Sequence, residues 1–132
     1  MLLIPVWVMN YEYNIENTLM HEMSLCEGML RIIEEQAAVQ HYKKVKTVWL
    51  EVGALANVEV DALRFGFEVV MQDSIAATAK LEIIDLPGQA WCLQCMKNVA
   101  IQQRFDPCPE CQGHQLTANG GEEMRIKELE VE

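Results

Sequence analysis

Four of the five cysteines fall in two Cys-x-x-Cys pairs, Cys92 with Cys95 and Cys108 with Cys111, and twelve residues, Met96 to Pro107, separate the pairs. Two intervening residues let a tight knuckle aim both thiolates at one ion. Twelve are enough for the chain to run out as a short hairpin, with Asn98 to Gln102 as one strand, and to return. Pro107 and Pro109 bracket Cys108 and stiffen the second knuckle. A tetrahedral four-thiolate zinc site suits this spacing best. Iron in the same cage and two disulfides in an oxidising compartment stay open as alternatives. A single redox pair is disfavoured because there are two pairs. A closed shell of four thiolates leaves no position for a substrate, so this metal would hold the fold together and do no chemistry.

Other chemistry must come from elsewhere in the chain. Of the three histidines, His41 follows a helical pattern and suits its C-terminal end, and His114 lies three residues beyond Cys111. His114 reads as an exposed loop residue, with a hydrogen bond to a thiolate as the alternative. His21 stands beside Glu22 at a helix entrance, where a histidine usually caps or packs and sometimes ligates. Cys26 sits on an apolar helical face and reads as a buried, inert thiol. Glu59 and Asp61 fall in the first turn of a second helix, where acids suit the dipole. No Ser-His-Asp or Cys-His arrangement is evident. Gly120-Gly121 lacks the Lys and following helix of a phosphate loop. On residues alone this is a small zinc-containing α/β protein and not an enzyme.

The elements that must position these residues are legible in the pattern. Ser24 and Glu27 have the spacing of a capping box, so the first helix is expected to be capped at Ser24 and to end near Gln40. Its apolar face is Cys26, Met29, Leu30, Ile33 and Ala37. Residues 44–52 alternate as a strand, with Val48, Leu50 and Val52 on one side, and Gly53 breaks it. A second helix follows from about Glu59 to Gln72, striped by Leu63, Phe67 and Val70. Residues 80–85 and 124–131 read as two more strands; Leu81 with Ile83, and Met124 with Ile126, share faces. Pro87-Gly88 turns the chain into the cysteine unit, and Gly120-Gly121 turns it out again.

The fold class expected is therefore α+β: a small three-stranded sheet carrying two helices, with a zinc-ribbon-like unit inserted before the last strand. Residues 1–19 are expected to be an extension outside the core. Residues 20–86 with 122–132 form the α/β domain, and residues 87–121 form the zinc-binding domain on two linkers that would let its angle vary.

The formal net charge of -10 speaks against a nucleic-acid partner, and the cysteine unit is itself locally neutral, with Lys97 and Arg104 against Asp106 and Glu110. No apolar run has the length of a membrane span, and the apolar start at Leu2 to Met9 lacks the basic flank of a signal peptide. Cysteines used in metal-type pairs fit a reducing cytoplasm.

Taken together, Met-His-Glu-x-Ser-Leu-Cys at 20–26, Val-Trp-Leu-Glu-Val-Gly-Ala-Leu at 48–55 and the two knuckles resemble the HypA/HybF family, nickel-insertion accessory proteins of NiFe-hydrogenase maturation. The resemblance spans residues 20–132. It implies a nickel metallochaperone that works with a nickel-handling GTPase and delivers nickel to the hydrogenase large-subunit precursor. Carried over, His21 would be the principal nickel ligand through its imidazole. Met20 and Glu22 would help through backbone nitrogens, with the Glu22 carboxylate tuning the site, and Glu59 corresponds to an acidic position near it. Cys92, Cys95, Cys108 and Cys111 would hold structural Zn(II), with Ni(II) as transient cargo. In the family the motif opens the chain, and the free amine of the first Met can be a ligand; here Met20 carries an amide. A monomer or homodimer is expected. The competing reading is a structural zinc-ribbon adaptor that binds a protein partner and no nickel. A rubredoxin-type iron carrier is a third reading.

Overall fold

The computed structural model describes residues 2–6 and 18–132, with side chains in the first helix from residue 21 onward. Its elements are β1 (Leu2–Pro5), α1 (Thr18–Gln40), β2 (Val45–Gly53), α2 (Val60–Met71), β3 (Lys80–Leu86), β4 (Gly88–Cys92), β5 (Lys97–Ile101), β6 (Leu116–Gly120) and β7 (Met124–Val131). They build two sheets. One has the order β1-β7-β2-β3, the other β5-β4-β6.

β2 and β3 are parallel, as a crossover through α2 requires, and β7 is antiparallel to β2 on its other side. The apolar faces of α1 and α2 share one core with this sheet: Cys26, Met29 and Ile33 meet Leu63 and Phe67, with Val48, Leu50 and Ile126 beneath. The helices cross closely at Gly66, where an added Cβ would stand 3.2 Å from Met23 Sδ and 3.3 Å from Cys26 Sγ. That close approach offsets the loss of helix propensity at glycine, about 1 kcal/mol.

Four expectations are corrected. The main sheet has four strands, because Leu2–Pro5 pairs antiparallel with β7, and residues 88–120 form a second sheet of three. Residues 2–6 accordingly do not lie outside the core. Ile4 and Val6 are buried, and the Val6 N–H reaches Lys127 O at 3.1 Å. The unpaired edge of β7 offers backbone partners that an alternating apolar segment can satisfy. The remainder of the expected 1–19 extension, residues 1 and 7–17, lies outside the described residues. Nor is Ser24 an N-cap. α1 runs from Thr18, and Ser24 is an exposed residue in its interior. Residues 18–23 contain neither Gly nor Pro, and Glu22, Leu25, Cys26 and Met29 lie on one buried side, so packing extends the helix through the local capping signal.

The zinc-type unit is not carried on free linkers. Leu55, from the loop after β2, is buried among Ala90, Cys92, Val99, Ile101 and Cys108. Its N–H donates to Gly121 O at 2.7 Å, and the Gly53 N–H donates to Glu123 O at 2.8 Å. At the seam the two backbones touch: a Cβ on Gly53 would fall 2.1 Å from Gly121 O, and Gly121 itself has φ 75°. Both positions therefore require glycine.

Candidate metal centre

β4 and β5 are the arms of a hairpin whose turn is the first knuckle, Cys92 to Cys95. The second knuckle, Cys108 to Cys111, lies between the loop after β5 and β6. Each knuckle closes in the same way. The N–H of the residue after its second cysteine bonds back to the first cysteine's carbonyl, Met96 to Cys92 and Gln112 to Cys108, both at 2.9 Å. Those two residues take left-handed backbone, φ 54° and 63°. Backbone N–H groups also point at sulfur, Cys95 N to Cys92 Sγ and Glu110 N to Cys108 Sγ, each at 3.4 Å.

The four Sγ atoms lie within 4.8 Å of one another. Across the knuckles, Cys92 Sγ is 3.7 Å from Cys111 Sγ, and Cys95 Sγ is 3.9 Å from Cys108 Sγ. A tetrahedron with Zn–S bonds of about 2.3 Å has edges of about 3.8 Å, so the cage has the dimensions of a zinc–tetrathiolate site. Without an ion the thiols are not alike. Hydrogen bonds from the backbone of Cys111 and then Glu110 lower the Cys108 thiol to about 7, while hydrogen bonding to Cys111 foremost, then burial, push Cys95 up to about 12. Four thiols this close ionise together only around a cation. The four-cysteine cluster fits a structural zinc site. Lys97 and Glu110 tie the knuckles across the surface at 2.7 Å, and Gln94 Oε1 accepts from Cys111 Sγ at 3.2 Å. His114 is exposed.

The other candidates sit on the helices. His21 and Glu22 are brought together: His21 Nδ1 is 2.8 Å from Glu22 Oε1, with their side chains 9% and 0% exposed. A carboxylate oxygen accepts from the ring N–H, which puts the imidazole lone pair on Nε2. Met20 lies in the helical backbone one residue earlier. Glu59 is the N-cap of α2 and accepts the Asp61 N–H at 3.3 Å. It is not gathered with His21 and Glu22. Among the described residues the cysteines form the one cluster of three or more His, Cys, Asp or Glu whose ligand atoms converge. Cys26 is the inert thiol expected, pushed up to about 12 by burial and then by Glu22, its Sγ donating to Leu63 O at 3.5 Å. What sequence reasoning missed here is Leu55 in the core of the cysteine unit. Its only signal is an apolar residue in a loop just after a strand-ending glycine.

Residues 20–131 match the family model described as "Hydrogenase/urease nickel incorporation, metallochaperone, hypA". The chain is 57% identical over 113 residues to the hydrogenase maturation factor HypA of Rhodopseudomonas palustris (strain BisA53), covering 86% of this chain and 100% of that protein. The HypA of Azotobacter chroococcum is also 57% identical over 113 residues with the same coverage. Among solved structures, the fold is similar to the solution structure of the Ni metallochaperone HypA from Helicobacter pylori. The TM-score is 0.59 at 21% identity, over 83% of this chain and 96% of that one. A second solution structure of a HypA protein gives a TM-score of 0.62 at 24% identity, over 85% and 96%. The described residues contain no helix long and apolar enough to cross a membrane. With this cysteine cage, this helical pair and these matches, the chain belongs to the HypA family of nickel-incorporation metallochaperones.

Proposed function

We propose that this chain carries Ni(II) at the head of α1 and delivers it, with a GTPase partner, to the large-subunit precursor of a NiFe-hydrogenase in the cytoplasm. In this reading Cys92, Cys95, Cys108 and Cys111 hold structural Zn(II) in a zinc-binding domain of residues 87–121. The nickel site belongs to the α/β domain. His21 is its principal ligand through Nε2, with backbone nitrogens of Met20 and Glu22. The Glu22 carboxylate holds the imidazole through Nδ1, and Glu59 supplies a further acidic group from α2.

The observation that carries the reading is the His21–Glu22 pair at 2.8 Å in a chain matched by the nickel-incorporation family. A ligating histidine commonly gives its other ring N–H to a carboxylate, which fixes its tautomer and orientation. Imidazole and backbone nitrogen suit Ni(II), and a partial donor set at a helix end suits a cargo that must leave. Met20 is the third residue of α1, where backbone N–H groups have no helical partner, whereas the Glu22 nitrogen lies in the second turn and reaches a metal only if that end unwinds.

The test is a nickel titration of zinc-loaded protein. His21→Ala is expected to abolish specific nickel binding while zinc content and circular dichroism stay unchanged. Nickel binding by His21→Ala as tight as the parent's would end this assignment. One zinc per chain with no separate nickel site in the parent would make the structural adaptor the better reading.

A further inference from the structure

The loop between β5 and the second knuckle carries Phe105, which is 94% exposed, the most exposed of the large apolar side chains described. Its φ is 72°, a left-handed conformation that a bulky residue keeps only when its surroundings hold it there. Those surroundings are explicit. Asp106 Oδ2 accepts the N–H of Gln102 at 3.1 Å and of Gln103 at 3.0 Å. Arg104 Nη2 donates to Glu122 Oε1 at 3.0 Å. The loop therefore holds the ring out in water, although a large apolar side chain gains by being covered.

The ring stands between two concavities. One, of about 220 Å³, is lined by Ile101, His114, Leu116 and Ala118. The other, about 590 Å³ and open to solvent, has Gln103, Arg104 and Phe105 on one wall and Ala54, Asn57, Val58 and Glu59 on the other. The charge left over at this second cleft is negative. Arg104 and Glu122 neutralise one another in their 3.0 Å pair, which leaves Glu59 in the α2 wall and, just outside the lining, its exposed neighbour Asp61. An exposed aromatic face beside uncompensated carboxylates attracts cations twice over, through the ring quadrupole and through ordinary charge.

We propose that Phe105 and this cleft are a docking site for a basic segment of a partner protein, one that sets an apolar side chain beside Lys or Arg. The apolar side chain packs on Phe105 and Val58, and the cation lies against Glu59 or on the ring face. Glu59 is also among the residues assigned to nickel above; a double role for it rests on the nickel reading, and the docking itself does not.

The test uses zinc-loaded, nickel-free, full-length protein labelled with ¹⁵N. It is titrated with the peptide Gly-Lys-Leu-Lys-Phe-Arg-Gly and with the same peptide carrying Glu at each basic position. Shifts at Val58, Glu59, Gln103 and Phe105 are expected with the basic peptide only, weakening as salt is added. Phe105→Ala should weaken binding about tenfold, and Phe105→Leu should restore part of it. The proposal is overturned if the basic peptide leaves the cleft unshifted, if the acidic peptide binds as well, or if Phe105→Ala binds like the parent. Because no nickel is present, a failed nickel site would leave this result decisive in either direction.

Discussion

In the cysteine unit, four like donors converge from two knuckles until every sulfur lies within 4.8 Å of the others. At the head of α1 the groups proposed for nickel are unlike: His21 and Glu22 are adjacent residues in contact, and Glu59 stands apart from them at the start of another helix. The first arrangement is set by local backbone: two knuckles with the same hydrogen bonds and left-handed residues preorganise the cage before any ion arrives. The second is held by packing, with Glu22 fully buried and His21 nearly so. A metal in the cage is part of the fold, and a metal at the helix head would be a visitor. The same difference separates the sulfurs themselves. Cys26 lies against Gly66 and the Leu63 carbonyl with no second thiol near, whereas the four cage sulfurs have one another, backbone N–H groups and, at Cys111, the Gln94 side chain.

The sharpest way to break the comparison is to open the cage. Cys95→Ser, or chelation of the parent, should remove about 10 kcal/mol of metal-linked stabilisation. Amide signals of β4, β5 and β6 should collapse while those of β2 and β3 persist. If the three-stranded sheet stays ordered without metal, the cage is not structural. Next in size is the seam. Gly53→Ala drives a methyl into Gly121 O and should cost about 3 kcal/mol, read as a lower denaturation midpoint for both sheets together. Loss confined to one sheet would show that they do not depend on each other.

Glu22→Gln should leave the fold and zinc content intact and weaken nickel binding about 10- to 100-fold in a nickel titration, because the imidazole loses its anionic acceptor. Unchanged nickel affinity would remove Glu22 from the site. The smallest effect concerns Cys26. Its thiol is raised from 9.0 to about 12, so the folded state favours the neutral form. The associated stability is complete below about 9 and is lost as pH rises from there toward 12, since the unfolded thiol ionises first. Between pH 8 and 9.5 urea unfolding should show a loss of about 1 kcal/mol or less, which Cys26→Ala abolishes. In the same pH range iodoacetamide should spare Cys26 in folded protein.

The cage was legible because its information is local: residue type and spacing alone constrain the knuckles. So were both helices and the strands β2, β3 and β7, where alternation or helical periodicity is carried by many residues at once. The rest was hidden for identifiable reasons. In β7 only Met124 and Ile126 read as inward, yet Leu129 and Val131 are buried too. Glu128 pairs with Trp49 and Ile126 with Leu50, so Lys127 is an extra residue that shifts the phase of the strand midway. A bulge of this kind breaks the alternation a sequence reading relies on. Ser24 misled because a capping box is a local signal and the helix start is decided by the packing of Glu22 and Leu25. The place of β1 in the sheet could not be read from its own residues, since what holds Leu2–Pro5 there is the open edge of an element more than a hundred positions away. The His21–Glu22 contact sat in plain view as a sequence pair, but its burial did not.

The position of β7 also bears on the order in which the molecule is made. It lies between β1 and β2, yet it is synthesised after every other described element, the cysteine unit included. A nascent chain can therefore close its knuckles on an ion while the larger sheet still lacks an inner strand and the edge of β2 stands bare. Synthesis completes the cage before it completes the core, and the interval before β7 emerges is the one in which that bare edge is most open to pairing with another chain.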